Sequence, residues 1–316
     1  MENRLPLIYV ASIGRSGSTL LESRLGQMPG VATVGELHLL PHEALSPERP
    51  CACGNLVTNC PVWSEIIREF GLSGREEMAP SLRMFREQHN AGRTLRPMEL
   101  VRMLIKGVSR RNLRYAQNTL EILEMYSSLL ARDALRPVIL VDSSKDPYRL
   151  HALLKSGLFD MTVVHVWRNP TAYLFAVSKR FIRGNESPGA LDIRRIVYSV
   201  RQVLAWNVQN AVILLAARSV PADRRLSLAY EDYVLDLDES VTSVLECTSS
   251  NVALRLKNEG STVPTHTVAG NPTRYRSQEI VVDDAWRREL EPGYSLLAKV
   301  LGAPVFWFLR RGRNAQ

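Results

Sequence analysis

The stretch Leu5–Ile13 (LPLIYVASI) runs straight into Gly14-Arg15-Ser16-Gly17-Ser18-Thr19, and Leu20, Leu21, Leu25 and Met28 then recur at helical spacing until Pro29-Gly30. This reads as a buried strand, a tight loop and a helix. Val31–Val34 reads as a second strand ending at Gly35-Glu36, so the chain opens as parallel α/β proteins do. Two glycines allow the loop to fold tightly enough for successive N–H groups to face one anion. The helix start adds partial positive charge, Arg15 adds a full one, and Ser18 and Thr19 bring hydroxyl donors. A plain Gly/Ser turn is the bland alternative, and the strand-before, helix-after context weighs against it.

A nucleotide-triphosphate loop would need a lysine just before its final Ser/Thr. Aligned on Gly17-Ser18-Thr19, that position holds Ser18, and Ser12 stands where the first glycine belongs. A kinase with a degenerate loop is therefore disfavoured. The formal charge of +8 over 316 residues favours an anionic partner. With no long Lys/Arg tract, it does not point to nucleic acid. Four cysteines do not make a disulfide scaffold, and a reduced, cytoplasmic setting is expected. The longest apolar run, Ala211–Ala217, is too short to span a bilayer.

The remaining pattern predicts one α/β domain over 1–316. A mostly helical insertion at about 62–135 includes an amphipathic helix marked by Leu113, Ala116, Leu120, Leu123 and Tyr126. Strands are predicted at Val138–Val141, Thr162–Trp167 and Leu226–Tyr230, and a long helix by Ile193 through Val208. The C-terminal cluster Val305–Arg311 is read as a helix docked on the core, with peripheral membrane contact as its alternative. Arg168-Asn169-Pro170 closes one strand and opens a helix, on which Arg180 lies twelve residues after Arg168. Such arginines suit bidentate contact with a second phosphate. Two anion sites on separate strands imply a ligand with two separated anionic groups.

These segments together resemble the sulfotransferase family that uses 3′-phosphoadenosine 5′-phosphosulfate (PAPS). Gly14–Thr19 is similar to its 5′-phosphosulfate loop, and Arg168-Asn-Pro to the start of its 3′-phosphate segment. Tyr230-Glu231-Asp232 is similar to a turn after a late strand. His266–Arg274, with Gly270, Asn271 and Arg274, is similar to a segment that covers the nucleotide in bacterial members. The resemblance implies a P-loop-like three-layer fold around a central parallel sheet, with PAPS as donor, PAP as product and no required metal. A serine common eight residues after the 3′-phosphate arginine is Ala176 here, leaving Ser178 as the substitute.

Gly35-Glu36 and Ser143-Ser144-Lys145-Asp146-Pro147 resemble the tyrosylprotein branch. That resemblance implies Glu36 as general base and Lys145 as the cation on the bridging oxygen, with Arg15 assisting. His38 and His42 are the competing bases; a structural role is the stronger reading for both. Cys51, Cys53 and Cys60 are one ligand short of a closed zinc site, Cys247 being remote, and a disulfide stays open. The acceptor is a hydroxyl of unspecified class. A non-catalytic binder of anionic glycans is the alternative outside enzymes.

Overall fold

In the computed structural model, which describes residues 4–46, 48–72, 100–101, 103, 109–132, 136–182, 193–259, 263–270 and 282–313, five strands form one parallel sheet. They are β1 (Leu5–Ser12), β2 (Val31–Gly35), β3 (Ile139–Lys145), β4 (Phe159–Trp167) and β5 (Arg225–Ala229), in spatial order β2-β3-β1-β4-β5. A sheet covered on both faces lets a strand be apolar throughout, which is why β1 carries no polar residue before Ser12. Leu7, Tyr9 and Ala11 face one layer, including α2 (Arg110–Leu130), α3 (Pro147–Ser156) and α5 (Ile193–Ala217). Ile8 and Val10 face the other, formed by α1 (Ser18–Leu25) and the helix Leu237–Glu246. α4 (Pro170–Ile182) starts at its proline, whose missing N–H is not needed in a first helical turn.

Two strand ends differ from the sequence pattern. β3 continues past Val141 through Asp142-Ser143-Ser144-Lys145, a stretch too polar to be read as strand. Each polar group there is paired. Asp142 meets Arg149 at 2.6 Å with both side chains fully buried, Ser143 donates to Glu22 at 2.6 Å, and the Ser144 hydroxyl accepts from the His38 N–H at 3.2 Å. At the other end of the sheet, β5 stops at Ala229, and Tyr230 begins a single helical turn, Tyr230–Tyr233.

The C-terminal helix α6 (Pro292–Arg313) docks through Ala298 and Leu309, and the Leu301 carbonyl accepts from Asn207 of α5 at 2.7 Å. Its opposite face leaves Leu296, Val300, Trp307 and Phe308 exposed. Counting unbroken apolar runs misses that Pro292–Arg311 is, by length and composition alone, long and apolar enough to cross a membrane.

Two histidines sit inside the fold. On β4, His165 Nε2 lies 2.9 Å from Asn210 Oδ1. The Asn210 amide nitrogen already donates to Trp206, so Oδ1 accepts and the proton sits on His165 Nε2. Burial pushes the pKa of both His165 and His151 down to about 4, with Lys155 adding to the effect at His151. Both groups titrate near 6.5 when unfolded. Their neutral forms therefore cost nothing above that pH, and stability is lost as pH falls from about 6.5 towards 4. The melting temperature is expected to decline across that window, and His165→Gln should flatten part of the decline. An unchanged slope in the variant would refute this account.

Candidate active site

In a parallel sheet of this order the chain builds β2 and β3 on one side of β1 and then crosses to β4 and β5 on the other, and the crevice at the strands' C-terminal ends is where ligands bind. Every strand delivers a candidate residue to that edge. β1 leads into Gly14–Thr19, β2 ends beside Glu36, β3 ends at Lys145, β4 is followed by Arg168 and β5 by Tyr230. Non-glycine residues with positive φ among those described are Arg15 (68°), Lys145 (64°) and Ala269 (54°), all at this edge. Left-handed backbone costs such residues of order 1–3 kcal/mol, and it collects where function fixes a side chain's direction.

The first loop is clamped from below. Gly17 has φ 86°, and a Cβ there would lie 2.3 Å from the Tyr233 hydroxyl and 2.5 Å from the Tyr230 ring. Tyr233 donates to the Gly17 carbonyl at 2.8 Å. Ser16 is fully buried and its hydroxyl has no hydrogen-bond partner among the described residues, while Gly14 and Arg15 are exposed. A buried, unpaired donor inside a tight loop fits an anion's oxygen.

Arg168 is 5% exposed and stacks on Tyr230, its guanidinium 4.4 Å from the ring centroid. One nitrogen donates to the Arg15 carbonyl at 3.3 Å; another reaches the Asp283 carboxylate at 3.2 Å. Lys179, the neighbour of Arg180 on α4, reaches the same carboxylate at 3.5 Å. Burial works against ionising Asp283, but Arg168 and then Lys179 outweigh it and hold its pKa below the usual range. Ser178 donates to the Phe175 carbonyl and lines a separate cavity with Tyr198 and Tyr294. The Arg180 side chain, Asn271 and Arg274 lie outside the described residues; Gly270 lies at their border with φ 98°.

Glu36 and Lys145 meet at 2.6 Å and are mostly buried, 13% and 17% exposed. Glu36 is held from behind: its N–H donates to the Val268 carbonyl at 2.9 Å, and the Val268 N–H donates to Val34 at 3.0 Å. Gly35 is obligatory there, because a Cβ would stand 2.2 Å from the Val268 oxygen. His38 is buried in the next turn, and His42 faces Glu43 at 3.6 Å.

Arg168 thus joins the two candidate anion-binding segments, and the Glu36–Lys145 pair ends the neighbouring strands of the same sheet edge. A family model described as "Sulfotransferase family" matches residues 6–250. The chain belongs to the sulfotransferase family. Similar solved structures include the sulfotransferase domain from the Synechococcus PCC 7002 olefin synthase, at 22% identity, 95% coverage of this chain, 96% of that one and a TM-score of 0.48. Another is sulfotransferase STF9 from Mycobacterium avium, at 16% identity, 98% and 76% coverage and a TM-score of 0.48. No curated protein sequence matches the chain.

In this sulfotransferase, sequence reasoning does not reach Asp283, Lys179 or the Asp142–Arg149 pair. Lys179 adjoins Ser178, and only the helix's rotation distinguishes their directions. Asp283 is more than a hundred residues from Arg168, so no local pattern announces it. Arg149, set between Tyr148 and Leu150, is the one available signal: a charge on an apolar helix face requires a buried partner.

Proposed function

We propose that the chain transfers a sulfonate from PAPS to an acceptor hydroxyl. The observation that carries this reading is the Arg168–Arg15 contact, which makes the loop after β1 and the segment after β4 one site. PAPS supplies an activated sulfonate on a phosphate leaving group. The Gly14–Thr19 N–H groups and the Ser16 hydroxyl would hold its 5′ end, and Arg168 with Lys179 its 3′-phosphate. Glu36 would accept the acceptor's proton. Lys145, already bonded to Glu36, would stabilise the negative charge growing on the leaving oxygen, where a compact ammonium is most effective. Asp283 occupies Arg168 and Lys179 as a phosphate would.

Arg168→Ala and Arg15→Ala are each expected to weaken PAP binding about tenfold or more, since a charge-assisted contact contributes roughly 1.5–3 kcal/mol. Asp283→Asn should tighten PAP binding by releasing both cations. Calorimetry showing PAP affinity unchanged in both arginine variants would end the nucleotide assignment. Magnesium-dependent ATP binding in its place would shift the reading to a kinase.

A further inference from the structure

The three cysteines of the loop after β2 find a fourth ligand at the far end of the chain. Cys60 Sγ lies 3.2 Å from His266 Nδ1, Cys51 Sγ 4.0 Å from the same nitrogen, and the Cys53 and Cys60 sulfurs are 3.8 Å apart. All four ligand atoms fall within 4.8 Å of one another. We propose that Cys51, Cys53, Cys60 and His266 bind a structural zinc ion. Three thiolates and an imidazole are the soft, closed donor set zinc favours, and Zn–S bonds of about 2.3 Å in a tetrahedron put sulfurs about 3.8 Å apart.

The surroundings suit thiolates. Cys60 Sγ receives backbone N–H groups from Val62 and Trp63, Cys51 Sγ receives one from Cys53, and Asn55 Nδ2 approaches Cys53 Sγ at 3.7 Å. The cysteine loop is pinned by Cys51 N–H to the Asn55 carbonyl at 2.7 Å. The His266 backbone is fixed independently of any ion, because its carbonyl accepts from Trp63 Nε1 at 3.2 Å and from the Tyr126 hydroxyl at 2.9 Å. That places the residue's Cα beside the cysteine loop before any ion binds.

The site has a structural consequence. His266 precedes by two residues Val268, whose backbone brackets Gly35 and Glu36. An ion at His266 would thus tie the cysteine loop to the segment that holds Glu36. It would make no contact with the reacting groups.

The full chain, purified without chelator from zinc-supplemented medium, should carry about one zinc by mass spectrometry. Cys60→Ser and His266→Ala should lose most of it, and Cys247→Ser should keep it. Cobalt exchanged into the unaltered protein should give a sulfur-to-cobalt charge-transfer band, a readout independent of whether the variants fold. After denaturation with chelator, all four cysteines should titrate as thiols. A wild-type chain without zinc, with half of its thiols lost to a disulfide, would overturn the proposal. So would zinc retained in full by folded Cys60→Ser and His266→Ala.

Discussion

Glu36→Gln is expected to lower kcat roughly 10²–10⁴-fold, the range for a positioned acid–base group, while leaving PAP affinity near that of the unaltered protein. The amide keeps the size of the side chain and one acceptor for Lys145, so the 2.6 Å contact can survive as a neutral–cation hydrogen bond. Only the proton-accepting capacity is removed. Lys145→Met should also impair turnover, by leaving charge on the departing phosphate uncompensated. Because each side chain is the other's partner, the double variant should cost less than the product of the single losses. His38→Asn should do far less: one contact that places His38 is its backbone N–H to Ser144, which the substitution preserves. Near-normal turnover in Glu36→Gln, with activity lost in His38→Asn, would move the base to His38.

Local signals make much of this site legible. A glycine-rich loop between strand and helix, Arg-Asn-Pro after a strand, and Lys-Asp-Pro after another are patterns within a few residues, and each fixes where its own strand ends. The sheet order then gathers those ends without further information. What stays hidden depends on distant pairing. The segment around Val268 locks Gly35 and Glu36 in place, yet nothing in its own residues shows that it lies beside β2. His266 completes the cysteine cluster from 206 residues beyond Cys60, so a three-ligand count is all that spacing allows. The polar end of β3 reads as a turn because the sequence shows Asp142 but not the guanidinium that neutralises it.

That guanidinium gives the largest expected effect on stability. Arg149→Met should destabilise the fold by about 3–5 kcal/mol, because it leaves the Asp142 carboxylate buried without its partner. Four elements meet at this one group. Arg149 on α3 pairs with Asp142 on β3, donates to the Tyr115 hydroxyl on α2 at 2.7 Å and lies 5.6 Å from the ring centroid of Tyr9 on β1. Tyr9 in turn donates to the Asp146 carbonyl at 2.8 Å, next to Lys145. Asp142 also accepts from the Ser144 N–H at 2.9 Å, so its oxygen cannot simply be deleted. Asp142→Asn combined with Arg149→Met removes the orphan charge while keeping that acceptor, and it should recover a large part of the loss. Denaturant titration of the three proteins decides the matter. If Arg149→Met alone costs under about 1 kcal/mol, the pair is no keystone, since breaking a desolvated ion pair should exceed that several-fold. If it costs the expected amount and the double variant recovers, the penalty belongs to the unpaired carboxylate. Turnover of the recovered double variant then tests position. Lys145 should remain competent only as far as the amide oxygen introduced at position 142 still fixes Ser144, so any displacement of Lys145 should lower kcat more than it raises KM for PAPS.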